Sequence, residues 1–243
     1  VRIATIITTM HNTDYLLLRG IQVTSLIIEF DDDTLAMVDT GMVDNPEFLK
    51  QLEEIGYHPS DFCFVFNTHL HPDHIGGNRY FTNARIIISN KEFTYHSSLE
   101  AACSVSSQVP DIPEDPLMRK LREIREKYPV ADLIGDPGQI EFLEDHPRLP
   151  NNIKLIPAPG HSIDDHAIFL PGQTHNVLAT GDALYHRDLW HGPTLPGLNY
   201  DEDLFRQSAR RLSEFHGIIV PGHDLAFDNV THAYLEINTF ISR

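Results

Sequence analysis

The chain has 243 residues, 41% of them apolar, which is enough to bury a substantial core and too many for a disordered chain. With 18 Lys and Arg against 35 Asp and Glu, its net charge of −17 repels phosphate backbones and anionic lipid heads, so a nucleic-acid partner is not expected. Two cysteines, Cys63 and Cys103, cannot make a disulfide framework and fit a reducing compartment. No stretch reaches the roughly 18 apolar residues of a membrane helix, so a cytoplasmic protein without a membrane partner is the expectation. The composition also holds 15 histidines, and histidine is the commonest transition-metal ligand.

In chain order, Val23 to Phe30 and Thr34 to Thr40 are apolar, β-branched runs joined by Asp31-Asp32-Asp33, which predicts a hairpin. Asn45 to Ile55 predicts an amphipathic helix, with Asn45 as cap, Pro46 next, and Phe48, Leu49, Leu52 and Ile55 on one stripe. Phe62 to Asn67 reads as a buried strand with Cys63 inside it, Arg85 to Ser89 as another, and Lys91 to Leu99 as a helix. Residues 97–150 are richer in proline and charge. They read as an inserted helical segment, a lid or pocket wall, with one helix opened by Asp115 and Pro116 and running to about Tyr128. Strand signals resume at Ile153 to Pro157, His166 to Leu170 and Val177 to Thr180. A helix follows over Asp201 to Phe215, with Leu204, Phe205, Ala209 and Leu212 inward. Ile218 to Pro221 is a last strand, and Asn229 to Ile241 a closing helix. One α/β domain spanning 1–243, built on two packed sheets, accommodates this order.

The strongest motif is Thr68-His69-Leu70-His71-Pro72-Asp73-His74, followed by Ile75-Gly76-Gly77-Asn78. In extended backbone His69 and His71 leave from the same side and can clasp one metal. Pro72 can open a helix that turns Asp73 and His74 toward a neighbouring position. Structural and catalytic metal sites need more ligands than one segment supplies. Three further candidates follow apolar strands, each directly after a glycine: His161, Asp182 and His223. The glycines let the backbone turn sharply over a sheet edge. The other histidines carry no such pattern. His11, His58, His96, His146, His175, His216 and His232 read as solvated, while His166, His186 and His191 flank the candidate ligands.

The His-Leu-His-Pro-Asp-His motif with the later His161, Asp182 and His223 resembles the metallo-β-lactamase superfamily, and Val38-Asp39-Thr40-Gly41 sits where that family has an early Asp-Thr-Gly strand end. The resemblance implies an αββα sandwich, two mixed β-sheets with helices on the outer faces and a metal site at one edge. It also implies that His69, His71 and His161 bind a first metal and that Asp73, His74 and His223 bind a second. Asp182 would bridge the two, with Asp39 orienting a ligand.

Two cations about 3.5–4 Å apart can share a hydroxide that attacks at neutral pH without a serine or cysteine. Asp73 can ferry the proton to the leaving group. Retention of Asp182, where β-lactamases commonly have cysteine, argues against β-lactam hydrolysis. Tyr185, three residues after Asp182, resembles the tyrosine of N-acyl-homoserine lactonases, whose phenol supports the developing oxyanion. The expected activity is therefore hydrolysis of a lactone or related ester, a small-molecule substrate, with two divalent ions. Zinc is the default, and iron, manganese and cobalt suit the same ligands. A phosphodiesterase or nuclease, a thioester hydrolase and a mononuclear-iron oxygenase are the alternatives on this fold. Gly160-His161-Ser162-Ile163-Asp164-Asp165-His166 departs from the Gly-His-x-x-Gly-His of lactonases by one extra residue and a missing glycine. The oligomeric state is open, a homodimer included.

Overall fold

The computed structural model describes residues 1–9, 20–105, 116–150, 153–172, 175–190, 199–235 and 241–242. Asp115, His11 and His191, named above, lie outside them. Among the described residues, twelve strands form two sheets. The first contains β1 (Arg2–Thr9), β2 (Gln22–Glu29), β3 (Leu35–Val38), β4 (Phe64–Phe66), β5 (Arg85–Ile88) and β6 (Ile140–Phe142). The second contains β7 (Lys154–Pro157), β8 (His166–Leu170), β9 (Val177–Gly181), β10 (Ile218–Pro221) and β11 (Phe227–Asp228), and β12 (Ile241–Ser242) closes the first sheet beside β1. The spatial orders are β12-β1-β2-β3-β4-β5-β6 and β11-β10-β9-β8-β7. Both sheets are mixed: β3 to β6 run parallel beside an antiparallel β1-β2-β3 meander, and β9 and β10 are parallel between antiparallel neighbours.

Every residue of β3 is buried, and the period of two divides its side chains between two cores. Leu35 and Met37 join Val65, Ile86 and Ile88 on the outer face of the first sheet, whereas Ala36 and Val38 join Phe66 and Ile87 between the sheets. Ile168, Leu170, Val177, Ala179, Ile218 and Val220 meet them from the second sheet. Covering both faces removes any polar alternation, which is why these strands read as continuous apolar runs.

Helices complete the outer layers. α1 (Pro46–Ile55) places Phe48 and Leu52 on the first sheet. Asn45 caps it by accepting from the Glu47 amide, and Gly56 ends it in the left-handed region at φ 99°. α2 (Pro72–Ile75) is a single turn. α3 (Asn90–Val105), α4 (Pro116–Lys127) and α5 (Val130–Leu133) follow β5, and α6 (Glu202–Ser213), capped by Asp201, packs Leu212 toward the outer face of the second sheet. The αββα layering expected from the sequence is present.

Several expectations are corrected. No helix occupies 229–235. The Asp228 carboxylate accepts from the Val230 and Thr231 amides and from the Thr231 hydroxyl, folding a tight turn where the sequence suggested a helix. His232 is left-handed, Tyr234 bridges to Phe227, residues 236–240 of the expected helix lie outside the described residues, and Ile241 opens β12. β1 was not among the expected elements, although its β-branched residues pair along its full length with β2. Cys63 is exposed, turned outward between the buried Phe62 and the half-buried Phe64, one residue before β4 begins. Leu204 is also exposed, facing away from the stripe formed by Phe205, Ala209 and Leu212. Within 97–150, β6 adds a parallel strand to the first sheet, and Val130, Leu133 and Ile134 are buried in its outer core, so much of this segment is woven into the fold.

Candidate metal centre

Strands β4, β9 and β10 end at the same edge of the sandwich, and each hands over to a segment bearing candidate ligands. After β4 the chain bends at Thr68 and His69, and His71, extended at φ −78° and ψ 149°, lets Pro72 start α2. The rings of His69 and His71 meet at 4.5 Å between centroids, and the α2 turn brings Asp73 and His74 beside them. Gly160 has φ 140°, and a Cβ there would lie 2.1 Å from the Phe205 amide, so only glycine lets this turn pass beneath α6. At Gly222 a Cβ would lie 2.0 Å from Asp182 Oδ1, so the missing side chain makes room for that carboxylate.

All seven ligand candidates converge. His69 Nε2 and His161 Nε2 each lie 3.0 Å from His71 Nδ1. Asp182 Oδ2 lies 3.2 Å from His161 Nε2 and 3.1 Å from His223 Nε2, and Asp182 Oδ1 lies 3.3 Å from His74 Nε2. Asp73 Oδ2 is 3.7 Å from His74 Nε2 and 3.6 Å from His223 Nε2. Three triads have all their ligand atoms within 4.8 Å of one another: His69–His71–His161, His69–His74–Asp182 and Asp73–His74–His223.

Charge divides this cluster in two. Burial, aided by neighbouring imidazoles, holds His69 and His71 well below the ordinary histidine range, and burial lowers His161 as well. These rings are thus neutral, the form that binds metal. At His74 burial acts downward, but the carboxylates of Asp182, Asp73 and Asp39 outweigh it and hold the ring well above its usual value. His223 is raised in the same way, chiefly by Asp182. Asp182 is held well below the carboxylate range by His223, His74 and His161 against the opposing effect of its burial. His74 Nε2 and Asp182 Oδ1 are buried with no aligned hydrogen-bond partner among the described residues. Buried polar atoms rarely stay unpaired. Nitrogen and carboxylate donors converging on unfilled hydrogen-bonding capacity suit divalent cations, so the residues present fit a metal pair.

The far nitrogens of the rings are anchored. His74 Nδ1 lies 2.8 Å from Asp39 Oδ2, the orienting contact expected for Asp39. His223 Nδ1 lies 2.6 Å from the Gln22 carbonyl, His161 Nδ1 3.2 Å from Asn199 Oδ1, and His69 Nδ1 3.1 Å from Thr68 Oγ1. Asp165, fully buried, lies 3.9 Å from His69 Nδ1, and burial together with the charge of Glu92 raises its carboxyl well above the usual range.

Tyr185 is brought to the same edge. Its ring stacks on Phe205 at 5.4 Å and meets His161 edge-on at 5.9 Å. Its carbonyl accepts from the His223 amide at 2.9 Å. The buried hydroxyl has no aligned partner among the described residues, and burial followed by the Asp182 charge pushes it up to about 12, so it remains a donor. His166 and His186 do not join the cluster. His166 Nδ1 lies 2.7 Å from the Asp164 carbonyl, and His186 Nδ1 lies 3.4 Å from Asp224 Oδ2.

The family model of the metallo-beta-lactamase superfamily matches residues 18–223, which include all seven converging side chains. The chain belongs to the metallo-beta-lactamase superfamily. N-acyl homoserine lactonase AiiA of Bacillus thuringiensis subsp. kurstaki is 28% identical over 189 residues, covering 76% of this chain and 64% of that protein. The chain thus spans 64% of the length of the curated lactonases it matches. Among solved structures, AidC, a dizinc quorum-quenching lactonase in complex with a product, superposes with a TM-score of 0.62 at 20% identity, over 84% of this chain and 72% of that one. An N-acyl homoserine lactone hydrolase with N-hexanoyl-L-homoserine at its catalytic metal center gives a TM-score of 0.59 at 22% identity, over 92% and 93% of the two chains.

One superfamily-edge pair was not read from the sequence. His96, expected to be solvated, is 2% exposed and lies in α3 against His71, one turn after the buried Glu92. The four-residue spacing from Glu to His, which places both on one helical face, was the available signal.

Proposed function

We propose that the protein is a dinuclear metal-dependent hydrolase that opens a lactone or a closely related carboxylic ester. The observation that carries this reading is the meeting of His69–His71–His161 and Asp73–His74–His223 around one shared carboxylate, Asp182. His69, His71 and His161 would hold one divalent cation, Asp73, His74 and His223 the other, and Asp182 both, with zinc the default. When bound, such ions polarise a carbonyl and acidify water, so hydrolysis needs no serine or cysteine.

The chain's own residues supply the rest. Asp39 faces His74 Nδ1 and would hold a proton there, so that Nε2 is the nitrogen that gives up its proton to ligate. Asp73, 22% exposed at the mouth of the cluster, is the carboxylate placed to carry a proton to the departing oxygen. Tyr185 offers an O–H donor where the carbonyl oxygen gains charge, and its stacking on Phe205 keeps the ring in place before substrate arrives. Support for a lactone comes from the Asp182–Tyr185 arrangement and from the lactonases among the relatives. A neutral ring also suits a chain of net charge −17 better than a polyanion does.

The test is a pH-indicator screen over lactones, thioesters and phosphodiesters, run with elemental analysis. Two divalent ions per chain and chelator-sensitive lactone opening are expected. Cleavage of phosphodiesters alone, or a single iron without hydrolysis, would refute the reading.

A further inference from the structure

Glu92 lies in the first turn of α3 and is 1% exposed, and His96, one turn on, is 2% exposed. A carboxylate is not buried so deeply without strong partners. Those of Glu92 lie mainly in the turn that follows His161. Its Oε2 accepts from the Ser162 hydroxyl at 2.7 Å and its Oε1 from the Asp164 amide at 2.6 Å. The same turn is closed from within by Asp165, which accepts from the Ser162 amide at 2.6 Å, and Ser89 donates to the Asp164 carboxylate at 2.7 Å. The stretch from His161 to His166 is the one that departs from the family's spacing, and carboxylates now hold the backbone there.

On its other side, Glu92 Oε2 lies 3.3 Å from His96 Nε2, an ion-pair contact, for the buried nitrogen has no aligned hydrogen-bond partner among the described residues. The His96 ring stands edge-on to His71, 5.6 Å between centroids at 89°. The far nitrogens of His69, His74, His161 and His223 face an oxygen acceptor, as metal-binding imidazoles generally do. His71 has no such hydrogen bond among the described residues, and its ring is instead set against His96. One buried carboxylate therefore reaches both His161 and His71, along two routes.

We propose that Glu92 is the positioning residue of the His69–His71–His161 cluster, fixing the turn that presents His161 and, through His96, the ring of His71. The inference rests on the proposed function, in which these three histidines hold a cation. It predicts that the two metal sites separate energetically when Glu92 is changed, since His74 is anchored by Asp39 and His223 by the Gln22 carbonyl.

The experiment uses the whole chain, stripped of metal and titrated with zinc against a chromophoric chelator, as the parent, Glu92→Gln and Ser162→Ala. Ser162→Ala removes a single hydrogen bond from the carboxylate and serves if Glu92→Gln does not fold. In each variant one zinc equivalent should weaken by about 10–100-fold while the other stays within about twofold of the parent. The melting temperature of the metal-free protein is read alongside. If both equivalents weaken equally together with a fall in that temperature, the role is merely structural and the inference is overturned. If the parent binds two zinc ions and both variants match it, the inference fails while the proposed function stands. A parent that binds no zinc overturns both.

Discussion

Asp39→Asn is the cleanest test of how the second half of the centre is organised. Asp39 is 2% exposed and sits in the left-handed region at φ 53°. Asparagine tolerates that conformation as well as aspartate, so the backbone is unperturbed. The carboxylate accepts three hydrogen bonds, from the Thr68 amide at 2.9 Å, the Thr68 hydroxyl at 2.8 Å and His74 Nδ1 at 2.8 Å. An asparagine can still accept from the amide through its oxygen, and the hydroxyl can rotate. Its NH2 would then face His74 and require Nδ1 to become the acceptor, which moves the ring proton to Nε2. That nitrogen points at Asp182 and Asp73, so the substitution closes a ligand position without removing a side chain. A charge-assisted hydrogen bond is worth about 1.5–3 kcal/mol, which corresponds to roughly 10–100-fold in metal affinity. The assay is metal content after dialysis against a graded chelator series, with turnover measured on the same samples. Asp39→Asn should lose one metal at a chelator concentration about 10–100-fold lower than the parent, and excess metal should restore turnover in part. Retention of both metals across the whole series would refute the tautomer argument.

Asp73→Asn should abolish turnover of every substrate while leaving the circular dichroism spectrum and the β4–α2 fold intact, and retained activity would remove Asp73 from the chemistry. Tyr185→Phe should lower lactone kcat by roughly 10–1000-fold with little change in KM, and an unchanged kcat would reduce Tyr185 to packing against Phe205. On β2 of the first sheet, the Arg2 hydrogen bond, aided by Tyr57 and opposed by burial, lowers the pKa of Glu29. Its stabilisation is present in full above the ordinary carboxylate range and is lost as pH falls through the lowered value. Glu29→Gln in metal-free protein should therefore reduce stability at pH 7 by less than about 1 kcal/mol, since Arg2 is half-exposed, and the difference from the parent should shrink below about pH 4. A difference that persists at lower pH would assign the effect to packing.

The seven converging side chains were legible because each requirement leaves a local mark. His69 and His71 lie two apart and their rings meet, although the backbone bends at Thr68 and His69 instead of alternating as a strand; proline opens α2, and glycine precedes His161, Asp182 and His223 where a Cβ would collide. The helices α1 and α6 were legible for a similar reason, since each carries its cap and an apolar stripe within a dozen residues. What failed was context that arises only on packing. α3 lies against the histidine and carboxylate cluster as well as α4 and α5, so Glu92 and His96 sit among polar partners and leave no apolar stripe to announce their burial. Residues 229–235 carry a spacing compatible with helix, but Asp228 offers the backbone a competing set of hydrogen bonds that wins locally.

On the proposed hydrolase reading, the same contrast bears on where substrate preference would be set. The ligand-bearing turns are held by short-range constraints and by contacts to strand ends, so little freedom remains there. The turn from His161 to His166 is different, because it is longer than the family spacing and depends on a helix from the segment between β5 and β6 for its hydrogen bonds. Tyr200, 49% exposed, donates its amide to the His161 carbonyl and meets Tyr95 of α3 edge-on at 5.4 Å. Substitutions that alter this turn would therefore move His161 and the aromatic rim together. Changes in substrate range produced in this region should come with changes in metal affinity, whereas those made near Asp39 or Gln22 should alter affinity alone.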